Sequence, residues 1–326
     1  MNLHLAVDAG GTSTRCVVLD ETGGCLGYGR AASGNPISAG PALAAYSVAE
    51  AAATALTHAE AAHGAGGADV VVVLLAMAGA SSLSGPELFA AELAPLGVDA
   101  PVVFAPDLLA TFCSGTWLPA GYALVAGTGA TAVRVENGSV ARTADGLGWL
   151  LGDDGSGFWV GQRVVRAAAA DLDGRGPRTE LTSLVLSQLG LEDDGTRHHG
   201  RPAVLDRIIK LLYSQRPVEL SRLSPLAFAA GDDPVARAIV SAAADALVHS
   251  LEAVADPGVT GPVVLGGGTI TQHDELAARI AAAGTRDVQV VADGAVGAAV
   301  LALRQASVVV DEPVFDRITR TLAALR

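Results

Sequence analysis

Two glycine-rich turns in this chain combine the residue types that bind phosphate groups. Each follows an apolar, strand-like stretch, and after each the apolar alternation resumes and leads into a further turn, which is the pattern of a β-hairpin. The positions in the two turns are Gly10, Gly11, Thr12, Gly127, Thr128 and Gly129. Because glycine has no Cβ, its main-chain N–H group is open to an anion, and two facing turns can hold a polyphosphate between them. Two ordinary hairpin turns are the alternative that the sequence leaves open.

Two aspartates follow apolar stretches at points where α/β proteins place catalytic groups. Asp8 ends an alternating apolar run and directly precedes the first glycine turn. A carboxylate there can hold Mg²⁺ through water next to the phosphates. Asp107 follows the apolar stretch 102–105, where it can act as a general base for a hydroxyl group that attacks a γ-phosphate. The alternatives are an ordinary turn residue for Asp8 and a helix N-cap for Asp107.

A third cluster, the GDDGSG turn at residues 152–157, places Asp153 and Asp154 before a predicted helix, with Trp149 close upstream. Carboxylates in this position can serve the helix dipole alone. An indole ring beside carboxylates and glycines also suits a sugar, whose apolar face lies on the ring while its hydroxyl groups form hydrogen bonds. These residues alone do not distinguish a helix-dipole role from a sugar-binding role.

The lysine and glycine patterns exclude several classes of nucleotide-binding protein. Lys210 is the single lysine of the chain and lies far from any glycine turn, whereas a Walker loop and a protein kinase both need a lysine at the phosphates. The stretch 127–132 has the spacing of a dinucleotide fingerprint, but it runs into a strand and the turn Asn137-Gly138 rather than into a helix. A Rossmann site is therefore rejected. Main-chain N–H groups, a metal ion and helix N-termini must neutralise any bound phosphates.

The composition bounds the class of protein. The chain has 326 residues, of which 50% are apolar, and this length suggests roughly two domains. Its longest apolar run, 70–78, is too short to cross a bilayer, and the first residues show no targeting pattern, so we expect a cytoplasmic protein. A net charge of −13 disfavours nucleic acid and anionic membranes as partners. The 3 cysteines have no paired spacing, which argues against a disulfide framework or a metal cluster.

Alternating helices and strands must position these residues. An alanine-rich segment at 41–63 predicts a long helix, and the apolar stretches 70–76 and 102–105 predict buried strands of a parallel sheet. The second half repeats this plan, with hairpins at 122–142, a long helix at 235–255 and a buried strand that ends in Gly266 and Gly267. Since α/β proteins place their chemistry at the ends of parallel strands, we expect two domains packed around a cleft.

The order of these motifs resembles a known family. The segments that carry the resemblance are VDAGGTSTR, a strand ending in Pro106-Asp107, VAGTGA, GWLLGDDGSGFWVG and VVLGGG. Together they are similar to the sugar kinases of the actin-like ATPase superfamily, and within it to the N-acetylglucosamine kinase and BadF/BcrA-type ATPase group. The resemblance implies an α/β fold of two ribonuclease-H-like domains with a cleft between them. The expected limits are 1–112 plus 305–326 for a smaller domain and 113–304 for a larger one.

The resemblance also implies roles for individual residues. ATP would lie between the two glycine turns, with its adenosine over Gly266 and Gly267. Asp8 would hold Mg²⁺ through water, and Asp107 would be the base for the sugar 6-hydroxyl. The residues implied for hexose binding are Asn35, Asp107, Gly148, Trp149 and Asp153. The scattered cysteines do not match the iron–sulfur site of the activator ATPases in the same group.

These implied roles predict an ATP-dependent kinase that phosphorylates the 6-hydroxyl of an amino sugar. Glucosamine is the first choice, because Asp153 and Asp154 can stabilise a free 2-ammonium group. N-acetylglucosamine is the alternative, since the acetyl-sugar kinases also carry an acid at the position of Asp153. A non-catalytic sugar- or nucleotide-sensing protein on the same fold is the alternative from another class. We leave a homodimer open as the oligomeric state.

Overall fold

The first half of the chain contains a five-stranded mixed sheet. The computed structural model describes residues 1–80, 83–284 and 286–326. The strands of this sheet are β1 (Leu3–Ala9), β2 (Thr14–Asp20), β3 (Cys25–Ala31), β4 (Val70–Met77) and β5 (Val102–Ala105). Their spatial order is β3-β2-β1-β4-β5, with β1, β2 and β3 antiparallel and with β4 parallel to both β1 and β5. Because β1 is the central strand, the turn that follows it lies at the middle of one sheet edge.

In the described part of this half, four α-helices accompany the sheet. They are α1 (Pro36–Ala39), α2 (Pro41–His63), α3 (Glu87–Leu93) and α4 (Asp107–Gly115). Helix α2 packs very closely on β3, since a Cβ built on Gly27 or Gly29 would lie 2.0 Å from a carbonyl oxygen of α2. The buried face of α2 is mostly alanine, and these small side chains together with the two glycines permit the close contact.

The second half contains a second five-stranded sheet with the same topology. Its strands are β6 (Gly121–Ala126), β7 (Ala130–Glu136), β8 (Ser139–Asp145), β11 (Val263–Gly266) and β12 (Val288–Val290), while β9 (Arg197–His198) and β10 (Arg201–Pro202) form a separate small ladder. The spatial order β8-β7-β6-β11-β12 repeats the order of the first sheet. The chain therefore contains two α/β domains of one design, as predicted.

Longer connections in the second half supply most of its helices. They are α5 (Gly157–Leu172), α6 (Leu181–Gln188), α7 (Ala203–Tyr213), α8 (Pro225–Ala229), α9 (Pro234–Val254), α10 (Gly268–Thr271), α11 (Asp274–Ala282), α12 (Ala295–Gln305) and α13 (Glu312–Leu325). No helix in the described ranges is long and apolar enough to span a bilayer.

Helices α4 and α12 join the two halves. A Cβ on Gly297 would lie 1.7 Å from the carbonyl oxygen of Ala110, so only glycine permits this contact between the helices. The main-chain N–H of Gly297 also donates to the Ser114 hydroxyl at 2.8 Å. One buried apolar cluster runs through this region and includes residues of both sheets. Helix α13 packs against β3, where the Thr321 hydroxyl accepts the N–H of Cys25 at 3.0 Å. The domain limits 1–112 plus 305–326 and 113–304 stay a prediction.

Candidate active site

The first glycine turn connects β1 to β2 and is held by main-chain hydrogen bonds. The N–H of Gly10 donates to the carbonyl oxygen of Ser13 at 3.1 Å, and the N–H of Gly34 donates to that of Gly10 at 3.2 Å. Gly11 and Thr12 are exposed, and a Cβ on Gly11 would meet no atom within 4 Å. The turn is thus fixed from within and open on the side of Gly11 and Thr12.

The second glycine turn connects β6 to β7 and docks on the start of helix α5. The carbonyl oxygen of Gly127 accepts the N–H of Gly157 at 2.7 Å, and that of Thr128 accepts the N–H of Phe158 at 3.2 Å. The Thr269 hydroxyl donates to the same oxygen of Gly127 at 2.8 Å. These bonds occupy the carbonyl oxygens of the turn and orient it relative to α5.

One cavity brings the two turns together. It has a volume of about 330 Å³, and its lining includes Thr12 from the first turn, Gly127 and Thr128 from the second turn, and Gly268 from the third glycine segment. His273 also lines it and stacks on Phe228 with a centroid distance of 3.5 Å. The cavity therefore lies in the cleft between the halves, where both glycine turns face it. A larger cavity of about 810 Å³ lies beside α6 and is lined by none of these turns.

Gly266 and Gly267 directly precede Gly268 of the cavity wall but do not line the cavity themselves. A Cβ on Gly266 would lie 2.7 Å from Cγ2 of Thr111. Gly267 has φ +89°, and a Cβ there would lie 2.5 Å from the carbonyl oxygen of Ala126. Gly266 thus has little room for a side chain, and Gly267 needs glycine for its backbone conformation as well. Their contact with adenosine stays a prediction.

Asp8 lies near the end of β1 and is buried within a charged network. Its Oδ2 accepts the N–H of Gly294 at 3.0 Å and Nη1 of Arg15 at 3.2 Å. Arg15 also contacts Oδ2 of Asp293 through Nε at 3.2 Å, so one guanidinium group bridges two carboxylates. Burial raises the pKa of Asp8 to about 6; Arg15 opposes this increase, whereas Asp293 and Asp107 add to it.

The donor set around Asp8 fits a magnesium ion that is shared with phosphate groups. Among the described residues, no cluster of three or more His, Cys, Asp or Glu side chains could hold a metal ion on its own. Mg²⁺ usually needs only one or two carboxylates, because water and phosphate oxygens complete its octahedron. Since Oδ2 of Asp8 already accepts two hydrogen bonds, coordination through water agrees with the geometry better than direct binding.

Asp107 is the first residue of α4, and Pro106 occupies the N-cap position. Its carboxylate accepts the N–H of Leu108, and burial raises its pKa above the ordinary value of 3.8. In the sheet register, Asp8 lies opposite Ala76 of β4, and Ala76 lies opposite Ala105 of β5. Asp107 therefore follows β5 at the same sheet edge at which β1 ends after Asp8. The role of Asp107 as a base stays a prediction.

The residues predicted to bind the hexose lie on three segments, of which Asp107 at the start of α4 is one. Asn35 caps α1, where its Oδ1 accepts the N–H of Ile37 at 2.8 Å. Gly148 has φ +83°, and Trp149 is 43% exposed with its ring 5.6 Å from that of Phe158. These polar and aromatic groups remain candidates for sugar contacts.

Asp153 contacts the second glycine turn directly. Its Oδ1 accepts the N–H of Ala130 at 3.3 Å, and a Cβ on Gly129 would lie 2.9 Å from its Oδ2. Burial raises the pKa of Asp153; hydrogen bonds from the N–H groups of Ala130 and Gly148 oppose the increase, and the charge of Asp145 adds to it. The proposed sugar carboxylate and the proposed phosphate turn are therefore parts of one local structure.

Three charged residues at this site are not apparent from the sequence. Arg15 and Asp8 are paired in the register of β1 and β2, so a register assignment of the first hairpin could have found Arg15. Asp293 precedes α12 and meets Arg15 only through tertiary packing. Asp145 ends β8, and its carboxylate accepts main-chain N–H groups of Asp153 and Asp154. No sequence motif singles out Asp145 or Asp293.

Comparison with known families gives the identity of the fold. A model of the BadF/BadG/BcrA/BcrD ATPase family matches residues 5–302. The chain belongs to this family. The predicted membership and the predicted fold of two actin-like ATPase domains are confirmed, since the match covers most of the chain and both sheets have the same strand order.

Several sugar kinases are similar in sequence to this chain. An N-acetyl-D-glucosamine kinase of Dictyostelium discoideum is 30% identical over 139 residues, which are 41% of this chain and 40% of that protein. A glucosamine kinase of Vibrio cholerae is 28% identical over 201 residues, which are 60% of this chain and 64% of that protein. The matches thus span less than two thirds of either relative.

Solved structures extend the similarity over the whole fold. A candidate N-acetylglucosamine kinase from Chromobacterium violaceum has a TM-score of 0.71 and 25% identity, and the match covers 93% of this chain and 99% of that one. A glucokinase of the ROK family from Streptomyces griseus, in complex with glucose and AMPPNP, has a TM-score of 0.52 and 20% identity over 93% of this chain and 100% of that one. The second similarity concerns the fold alone.

Proposed function

We propose that this chain is an ATP-dependent kinase that transfers a phosphoryl group to the 6-hydroxyl of an amino sugar. Glucosamine is the first choice of substrate, and N-acetylglucosamine is the alternative. The observation that carries the proposal is the cleft cavity, which is lined by Thr12 of the first glycine turn and by Gly127 and Thr128 of the second. The names of the similar glucosamine and N-acetylglucosamine kinases support the substrate class.

Main-chain groups of the two turns would bind the ATP phosphates in this proposal. The positions are Gly10, Gly11 and Thr12 on one side and Gly127, Thr128 and Gly129 on the other. Gly266 and Gly267 would lie under the adenosine. Lys210 is exposed on α7 and is the single lysine of the sequence, so no lysine is available to neutralise the phosphates. When bound, Mg²⁺ held by Asp8 through water supplies the positive charge that phosphoryl transfer requires.

Asp107 is the proposed general base. Its carboxylate takes the proton of the sugar 6-hydroxyl while the hydroxyl oxygen attacks the γ-phosphorus, and the bond to the bridging oxygen breaks to release ADP. The raised pKa of the buried Asp107 carboxyl group makes it a stronger base than an exposed aspartate. Most of the rate enhancement in such a reaction comes from positioning the reactants and stabilising charge.

The sugar would lie between Asn35 and the loop that carries Gly148, Trp149 and Asp153. The indole ring of Trp149 is partly exposed and can cover the apolar face of a hexose. A free 2-ammonium group would be stabilised by a nearby carboxylate, and Asp153 is the proposed partner. An acetamide needs a neutral hydrogen-bond partner and room for its methyl group.

An ADP-release assay with MgATP tests this function. Its four reactions contain glucosamine, N-acetylglucosamine, glucose or no sugar. We expect the fastest release with glucosamine. Fastest release with N-acetylglucosamine would select the alternative substrate, and equal release without sugar would indicate a plain ATPase. Release in none of the four reactions would favour a non-catalytic sensor, which has no need of Asp107.

A further inference from the structure

The loop between β8 and α5 is only weakly held by apolar burial. The side chains of Leu147, Leu150 and Leu151 are 65%, 74% and 76% exposed. Trp149 contacts Phe158, yet 43% of its own surface is exposed. Apolar side chains that remain in solvent contribute little to the stability of a loop conformation. Polar contacts must therefore fix much of this loop.

The carboxylate of Asp145 supplies such contacts. Its Oδ1 accepts the N–H of Asp153 at 2.6 Å, and its Oδ2 accepts the N–H of Asp154 at 2.9 Å. Hydrogen bonds to an ionised acceptor are stronger than those between neutral groups. The two bonds connect Asp145, the last residue of β8, to Asp153 and Asp154 across the loop, and so close residues 145–154 into a hydrogen-bonded ring.

Backbone conformation at both ends of the ring shows that the contact is specific. Asp145 has φ +62° and Asp153 has φ +59°, which is the left-handed region that residues with a Cβ seldom occupy. A Cβ on Gly152 would lie 2.2 Å from Oδ1 of Asp145, so glycine is required beside the carboxylate. Conformations of this kind persist only where surrounding contacts enforce them.

The ring ends at the residue that contacts the second glycine turn. Asp153 receives a main-chain bond from Asp145 on one side, and its own carboxylate accepts the N–H of Ala130 on the other. A shift of the Asp153 main chain would move that carboxylate away from Ala130 and Gly129. Asp145 therefore holds the main chain of Asp153 on one side, and the second glycine turn holds its side chain on the other.

We propose that Asp145 is a positioning residue of the sugar site, whose carboxylate fixes the main chain of Asp153 and Asp154 so that the Asp153 side chain faces the second glycine turn. This inference rests on the proposed function, in which Asp153 binds the sugar. Asp145 itself does not touch the substrate in this arrangement. Its removal should weaken sugar binding while leaving nucleotide binding intact.

Two substitutions at Asp145 separate its hydrogen bonds from its backbone conformation. Asp145→Asn tolerates a positive φ and keeps one acceptor oxygen, whereas Asp145→Gly adopts this φ without strain and loses both acceptors. The matched control is Asn137→Gly, which relaxes another left-handed residue, with φ +51°, in the hairpin between β7 and β8. Native protein and the three variants are compared by calorimetric titration with glucosamine, N-acetylglucosamine and MgADP.

We expect glucosamine affinity to fall about 10-fold in Asp145→Asn and about 100-fold in Asp145→Gly, the factors for one and two hydrogen bonds to a charged acceptor. MgADP affinity should stay within about twofold of native in both variants, and Asn137→Gly should match native protein for every ligand. In Asp145→Asn, the fold-change in kcat at saturating sugar should be smaller than the fold-change in the KM for the sugar. Amide hydrogen exchange of Asp153 and Asp154 should accelerate in Asp145→Gly, as expected when a local hydrogen bond is lost.

Two results would overturn the inference while the proposed function stands. One is native-like sugar affinity in both Asp145 variants. The other is equal weakening of sugar and MgADP binding, which would show a general loss of structure. If native protein binds neither glucosamine nor N-acetylglucosamine, the proposed function itself is contradicted, and the role of Asp145 in positioning the sugar site is contradicted with it.

Discussion

Replacing Asp107 by Asn removes the proposed base with little change in shape. A general base contributes about 10²- to 10⁴-fold to a rate, which corresponds to about 2.7 to 5.4 kcal/mol of activation free energy at 1.36 kcal/mol per tenfold. A carboxylate in the first turn of a helix contributes about 0.3–1 kcal/mol to stability. Asn retains an acceptor oxygen for the N–H of Leu108. We therefore expect kcat to fall at least about 100-fold while the free energy of unfolding changes by less than about 1 kcal/mol.

The pH dependence provides a second measure of the same residue. Only the ionised carboxylate can accept a proton, so activity is present above the pKa of Asp107 and is lost as the pH falls through it. Because burial raises this pKa above 3.8, the acid limb of kcat/KM should lie at a higher pH than for an exposed aspartate. The contribution of Asp107 to this limb should be absent from the residual activity of Asp107→Asn, whereas Asp8, with a pKa raised to about 6, still titrates in that variant.

Steady-state ADP release and thermal unfolding, measured side by side, test these expectations. The matched control is Glu312→Gln, since Glu312 is an exposed carboxylate in the first turn of α13 and has no proposed role at the site, and its turnover should stay near native. Near-native turnover of Asp107→Asn would refute the assignment of the base. An unchanged acid limb in that variant would assign the limb to another group.

Three further substitutions test neighbouring parts of the site. Asp8→Ala should weaken the Mg²⁺ dependence of ATP use, and an unchanged magnesium titration would count against its role as a metal residue. Gly129→Ala places a Cβ 2.9 Å from an oxygen of Asp153. Because the new methyl group displaces this carboxylate, the KM for the sugar should rise about tenfold or more. A native KM would show that Asp153 does not set sugar affinity. Arg15→Met leaves the buried carboxylate of Asp8 without a cation, whereas Asp293 keeps its ion pair with Arg326. We expect unfolding to become easier by about 3 kcal/mol at pH 7, and a loss below about 1 kcal/mol in urea titration would contradict this reasoning.

Local patterns predicted the elements of this fold well. The helix expected at 41–63 is observed as α2 (Pro41–His63), and the strand expected at 102–105 is observed as β5 (Val102–Ala105). The long helix expected at 235–255 is observed as α9 (Pro234–Val254). Proline, glycine and apolar periodicity act within a few residues of the chain. Helices and strands can therefore be predicted from them without any tertiary information.

Contacts between residues that are far apart in the sequence could be predicted from the sequence only in part. Two glycine turns facing one another follow from a repeated strand order, and the cavity shared by Thr12 and Gly127 agrees with that expectation. The fixed position of Asp153 depends on the carboxylate of Asp145, a residue that lies outside every recognised motif. A single aspartate at a strand end has many roles, and only its hydrogen-bond partners distinguish them.

The sequence by itself determined the two glycine turns, the aspartates that follow apolar strands and the absence of a phosphate-binding lysine. These features depend on residue type and on spacing along the chain. The tertiary structure alone decided that Arg15 bridges Asp8 and Asp293, because the two carboxylates lie on β1 and before α12, at opposite ends of the sequence. Their proximity results from the packing of α12 between the two halves, which is a long-range contact that no local pattern encodes.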